Sequence, residues 1–177
     1  MSAPEFSRIV KLDEIGNGIE RRIEATAIER AALAVRFGLV TLDELTARLT
    51  VAPGEGGFRV TGPVSGRAVA SCVVSAEDVA QTVDEQLALT FVRELPDMPD
   101  EDVELSLDEL DIVSLGGART IDLGEVAAEA FVLALDPFPR ASDEDIAAAR
   151  ALLMSEEDVA AEAAEIKRKT SPFAALK

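Results

Sequence analysis

The sequence predicts an α+β fold: a twisted antiparallel β-sheet packed by helices, with a helical C-terminal arm. Three observations carry this. Long stretches alternate apolar and polar residues with period two. Two segments open with helix-capping patterns and continue with helical apolar spacing. After Pro139 the chain becomes rich in Ala and Glu.

The elements follow in order. Phe6 to Leu12 reads as a strand, and Gly16-Asn17-Gly18 is a turn signal. Ile19 to Ala25 reads as a second short strand. Thr26 and Glu29 have capping-box spacing and open a helix. Its apolar stripe is predicted at Ile28, Ala31, Ala32, Val35 and Leu39, with Gly38 at its end. Leu45, Ala47, Leu49 and Val51 then alternate with polar residues, and Pro53 to Gly57 joins this strand to the next. Phe58 to Val74 places Phe58, Val60, Val64, Ala68, Cys72 and Val74 on one parity, while Gly62, Pro63 and Gly66 imply a bend or bulge, with an edge position as a further option. Val83, Leu87, Leu89 and Phe91 mark another long strand. Such runs predict an antiparallel meander with one buried face.

Residues 94–111 hold nine acids and no base. The first part, with Pro96 and Pro99, reads as a mobile acidic loop over about residues 94–109. Leu110 to Leu115 reads as a strand closed by Gly116 and Gly117. Asp122 and Glu125 form a second capping-box pattern, with Leu123, Val126, Ala127, Ala130, Phe131 and Ala134 facing the core until Pro137 and Pro139 stop the helix. Ser142 and Ser155 read as N-caps of two thin-faced helices, Asp143 to Met154 and Glu156 to Lys169. The organisation is thus one α+β domain over 1–139 and a helical arm and tail over 140–177. The tail ends Ser171-Pro172-Phe173-Ala174-Ala175-Leu176-Lys177.

Composition bounds the function. Seventeen basic against 34 acidic residues leave a formal charge of −17, a field that repels phosphate backbones and attracts basic partners. With no histidine, His-based acid–base catalysis and the common metal triads are excluded. No Walker A loop, dinucleotide-binding glycine motif or nucleophile elbow is present. Asp97, Asp100 and Asp102 have the chemistry to hold a hard cation, but a Pro-broken acidic run reads as a solvated loop. The single cysteine, Cys72, lies on the buried parity of its strand and reads as core packing. Lys167, Arg168 and Lys169 complement a helix C-terminus. No cofactor and no metal are expected. One cysteine, no signal-peptide pattern and no long apolar run point to the cytoplasm.

Three stretches in order resemble the YceD-like family, named for large ribosomal RNA subunit accumulation. They are Val64–Val92, Arg119–Pro139 with its Ile121-Asp122-Leu123 start and Pro137 stop, and the terminal Ser171–Lys177. Many members carry Cys-x-x-Cys where this chain has Cys72-Val73-Val74-Ser75, so a zinc-binding role is not carried over. The family-motif residues are Cys72, Ile121, Asp122, Leu123 and Pro137. The resemblance implies a bacterial, non-enzymatic ribosome-biogenesis factor supporting accumulation or processing of large-subunit ribosomal RNA. The acidic charge implies a basic ribosomal protein or large-subunit precursor as partner, with any RNA contact indirect, no membrane and no small-molecule substrate. Asp97, Asp100, Glu101 and Asp102 are the expected acidic contacts, and Pro172, Phe173 and Leu176 the expected apolar anchor. The alternatives are a direct RNA-binding module, marked by a clustered face of Arg21, Arg22, Arg48, Arg59 and Arg67, and an enzyme using carboxylates or a metal.

Overall fold

The computed structural model of the chain describes residues 4–54, 56–93 and 112–152. The elements are β1 (Ile9–Lys11), a 3-10 turn (Leu12–Glu14), β2 (Ile19–Glu24), α1 (Ala27–Phe37), β3 (Thr41–Gly54), β4 (Gly57–Ser71), β5 (Asp78–Val92), β6 (Ile112–Ser114), β7 (Thr120–Asp122), α2 (Leu123–Ala134) and α3 (Asp143–Leu152). The α+β class is the one expected. β2, β3, β4, β5 and β6 form one sheet in that order, and β1 with β7 forms a second, two-stranded one.

The large sheet is an antiparallel meander over its first four strands, and β6 adds to it in parallel. β7, paired with β1, was not legible in the sequence. It is three residues long, too short to show a period. The alternation of β3 is as expected: Leu45, Ala47, Leu49 and Val51 are all buried. The glycines of β4 do not mark an edge, because β4 lies between β3 and β5. They mark close approach. A Cβ at Gly66 would lie 2.4 Å from the Glu44 carbonyl oxygen and 2.7 Å from the Phe131 ring. Gly62, at φ +143°, sits 2.0 Å by the same measure from the Arg48 carbonyl oxygen. Beside it Pro63 cannot donate, and the β3 pairing skips from Ala47–Val64 to Thr50–Thr61.

Both helices cover the same sheet face. α1 has the expected capping box: Thr26 Oγ1 accepts from the Glu29 N–H at 3.3 Å, and the Glu29 carboxylate accepts from the Thr26 N–H at 2.7 Å. Gly38 ends it in the left-handed conformation. Its buried stripe differs from the expected one. Leu33 and Ala34 face the core with Phe37 packed beside them, whereas Ile28 is 84% and Val35 83% exposed. Two apolar stripes compete on this helix, and the bidentate Arg8–Glu29 pair (2.7 and 3.0 Å) holds the Glu29 side toward the amino-terminal segment. That pair, with the Thr26 cap, lowers the Glu29 carboxyl to about 2. In α2 the sides of Leu123, Val126, Ala127 and Phe131 are buried as expected, Ala130 is half-buried and Ala134 is exposed. The helix ends at Ala134 ahead of Pro137, and its end is tied to β5 by Gln81, which donates to the Asp136 carbonyl and accepts from its N–H. Ser142 caps α3 through the Asp145 N–H at 3.2 Å. The second arm helix, the acidic loop and the terminal tail lie outside the described residues.

Phe131, fully buried over Gly66, is where α2 meets the sheet; burying one such side chain contributes about 1.5–3 kcal/mol. Gly66→Ala must push either the β3 backbone or this ring, and is expected to cost about 3 kcal/mol. Urea unfolding monitored by far-ultraviolet circular dichroism checks it; a midpoint equal to that of the unmodified chain contradicts the close packing.

Candidate functional site

The expected site residues divide by location. Asp97, Asp100, Glu101, Asp102, Pro172, Phe173 and Leu176 lie outside the described residues. Cys72, Ile121, Asp122, Leu123 and Pro137 are described; Pro137 lies exposed just past the end of α2, and the other four fall into two separate constructions.

The first is a latch. Asp122 ends β7 and caps α2, with Oδ1 accepting from the Gly124 N–H at 3.0 Å and the Glu125 N–H at 3.4 Å. The same oxygen accepts from the Arg8 N–H at 2.6 Å, and Oδ2 accepts from the Ser7 hydroxyl at 2.5 Å. Glu125 does not complete a capping box; its carboxylate pairs instead with Arg36 of α1, which also reaches Glu5. Ile121 and Leu123 are buried on either side, and the Leu123 N–H donates to the Arg8 carbonyl at 3.0 Å. The Ile-Asp-Leu sequence therefore joins the amino-terminal segment to the start of α2, a structural role.

The second is the Cys72 turn. Cys72 is 4% exposed, as its parity predicts, and lies outside the main apolar cluster. Its sulfur accepts backbone N–H groups from Val74 and Ser75 at 3.4 Å and from Ala141 at 3.2 Å. The Cys72 N–H donates to the Glu77 carbonyl, the Cys72 carbonyl accepts from the Ala76 N–H, and the Val73 N–H donates to the Pro139 carbonyl at 3.0 Å. Ala76 takes φ +60° to close the turn. One sulfur thus ties the end of β4 to the segment that leads into α3. The Ser75 hydroxyl, buried beside the sulfur without a hydrogen bond of good geometry, then the Ala141, Ser75 and Val74 N–H groups, favour the thiolate and lower the thiol to about 6. Residue type and parity gave the burial of Cys72; the donor Ala141, 69 residues away, left no sequence signal. Among the described residues no group of three or more His, Cys, Asp or Glu side chains is placed to hold a metal ion.

The arginines named for the RNA-binding alternative divide by strand parity. Arg22 and Arg48 stand directly opposite each other on the sheet face away from the helices, and Arg59 and Arg67 share that face. Arg21 pairs with Leu49 and lies on the other parity, at the exposed sheet edge. Glu20, Glu24, Glu44 and Asp84 share the outer face, and Glu44 pairs with Arg67 at 3.0 Å. The face mixes charges rather than forming a basic stripe.

The root of the acidic stretch is well placed. β5 ends at Val92, β6 begins at Ile112, and Ile112 lies beside Thr90 in the ladder. Both ends of the acidic stretch therefore spring from one sheet edge, within a few residues of each other.

Two predictions follow from these constructions. Asp122→Ala removes a helix cap and the acceptor for Ser7 and Arg8, and should cost about 2–3 kcal/mol in chemical unfolding. Restoration by Asp122→Asn of most of the loss would agree with a hydrogen-bonding role. The Cys72 thiolate absorbance near 240 nm should titrate at about 6 in the folded chain rather than near 9. Because the folded value is depressed, the thiolate's stabilisation is fully present above the unfolded value and is lost as pH falls through about 6. A folded-state midpoint near 9 would contradict the N–H donation to sulfur.

Comparison with known proteins gives one family. The family model described as "Large ribosomal RNA subunit accumulation protein YceD" matches residues 60–177, from the first half of β4 to the last residue. No curated protein and no solved structure matches significantly. The match spans two thirds of the chain and includes the Cys72 turn, Asp122 and α2, so the chain belongs to the YceD family of large ribosomal RNA subunit accumulation proteins.

Proposed function

We propose that this chain is a non-enzymatic ribosome-biogenesis factor. It supports accumulation or processing of large-subunit ribosomal RNA by holding a basic ribosomal protein, or a basic patch of the precursor particle, against its acidic stretch. The family is named for ribosomal RNA accumulation, not for a reaction. The finer reading is supported by one observation above others. Nine acids and no base lie between two strands that are neighbours in one sheet, Thr90 beside Ile112. More than half of the formal charge of −17 is thereby concentrated in one stretch with both roots on a single sheet edge. Such concentration attracts a cationic partner and speeds its encounter. Asp97, Asp100, Glu101 and Asp102 are its proposed contacts.

The C-terminal arm, 140–177, is proposed as a second attachment, with Pro172 ending its helix and Phe173 and Leu176 as anchors. The Cys72 turn would hold the root of this arm against the sheet. The cytoplasm is the proposed location; among the described residues no helix is long and apolar enough to cross a membrane. The mixed charge of the outer sheet face weakens the case for RNA binding through its arginines.

Sedimentation of tagged protein through a ribosome gradient, with mass spectrometry of what travels with it, tests the reading. Co-migration with large-subunit precursors is expected at low salt and should fall several-fold as ionic strength rises toward about 0.5 M, as exposed charges become screened. Changing Asp97, Asp100, Glu101 and Asp102 to their amides should weaken it similarly. Unchanged co-migration of that variant, or recovery of naked RNA without any ribosomal protein, would overturn the proposal.

A further inference from the structure

At the opposite side of the fold from the Cys72 turn, an open hollow of about 890 Å³ lies between β1, the start of β4 and the turn between β6 and β7. Its volume is within the range of ligand sites, roughly 300–1,000 Å³. Lys11, Arg93 and Arg119 line it, and the only acid among its described lining residues is Asp13. The cations come from three separate elements, and the backbone fixes their positions. Lys11 is paired with Thr120 in the β1–β7 ladder, and the Leu12 N–H donates to the Arg119 carbonyl at 3.0 Å. Arg93 follows Val92, whose carbonyl accepts from the Leu115 N–H at 2.8 Å. The Lys11–Glu14 contact, 3.4 Å between two well-exposed groups, is a weak competitor for the lysine.

The rest of the wall is not simply polar. Phe58, half-buried against the core, and Leu12 and Leu115 form its apolar side, and Thr120 brings a hydroxyl. Cations that fork onto phosphate beside an aromatic face are the combination that holds a nucleotide: charge and hydrogen bonds for the phosphate, a flat ring for the base. A hollow meant only for an acidic peptide would gain nothing specific from Phe58. We propose that this hollow binds a nucleotide unit, with Lys11, Arg93 and Arg119 on the phosphate and Phe58 against the base. The unit is either free or part of a single strand. The proposal does not rest on the acidic stretch.

Amide chemical-shift mapping on the full chain tests it, with inorganic phosphate, adenosine monophosphate and a single-stranded RNA octamer as separate probes. Shifts at Lys11, Gly117, Ala118 and Thr120 with both the mononucleotide and the octamer support a site for one nucleotide; shifts with the octamer alone support a strand site. Arg119→Ala and Lys11→Ala, both at the surface, should each weaken octamer binding about tenfold, and Phe58→Leu about fivefold, in chains shown to be folded by circular dichroism. Mononucleotide and octamer binding no tighter than inorganic phosphate overturns the role of Phe58. The proposal as a whole falls if no probe shifts these amides, if the shifts lie elsewhere, or if Arg119→Ala binds as the unmodified chain does. The variant with amides at Asp97, Asp100, Glu101 and Asp102 should keep nucleotide binding, which separates this outcome from that of the gradient experiment.

Discussion

The Asp122 carboxylate ties the first residues of the chain to the middle of it. Four donors from two distant segments meet on its two oxygens: the Ser7 hydroxyl and the N–H groups of Arg8, Gly124 and Glu125. From that point β1 pairs with β7, Phe6 is buried without residual exposure, and Arg8 reaches Glu29 of α1. α2 begins at the same place, and its orientation determines where Phe131 meets Gly66. One side chain thereby sets the relation between both helices and the sheet. Its four bonds work together because each restricts the same two oxygens, so removal of the carboxylate leaves several donors without a partner.

The family match begins within β4, yet the matched region supplies only part of the core. Val60, Val64 and Ala68 of β4 pack with Leu45, Leu49 and Val51 of β3 and with Leu33 of α1, all upstream of the match. β4 also needs β3 as its hydrogen-bonded neighbour. The first 59 residues, a third of the chain, are thus an integral part of the structure.

Much of the fold was legible because local rules and tertiary structure agreed. The Thr26–Glu29 box, the alternation of Leu45 to Val51, the Pro53–Gly57 hairpin and the Ser142 cap are each determined by residues close together in sequence. The misreadings arise where two answers fit the same local pattern. On α1, Ile28, Ala31 and Val35 have helical spacing as good as that of Leu33, Ala34 and Phe37, and only distant groups decide between them. In β4, glycine next to proline signals both an edge and a crowded interior crossing; Phe131, 65 residues later, determines which applies. The candidate site was least legible. A cysteine of the right parity shows burial, but three N–H groups aimed at its sulfur, and a basic hollow assembled from Lys11, Arg93 and Arg119, exist only after folding.

The latch also has a consequence in time. Ser7 and Arg8 find their partner 115 and 114 residues downstream. During synthesis the amino-terminal segment is made first; Arg8 can reach Glu29 early, but β1 has no ladder partner until residue 122 is available. At about 5–20 residues per second, that wait lasts roughly 5–20 seconds. Throughout it Phe6 and Val10 lack the neighbours that β7 and α2 supply, while the meander of β2, β3, β4 and β5 is complete by Val92 and can already pair. The order of assembly is therefore built into the order of the chain: the sheet forms around its own hairpins, and the strand that was made first is the one that closes the molecule.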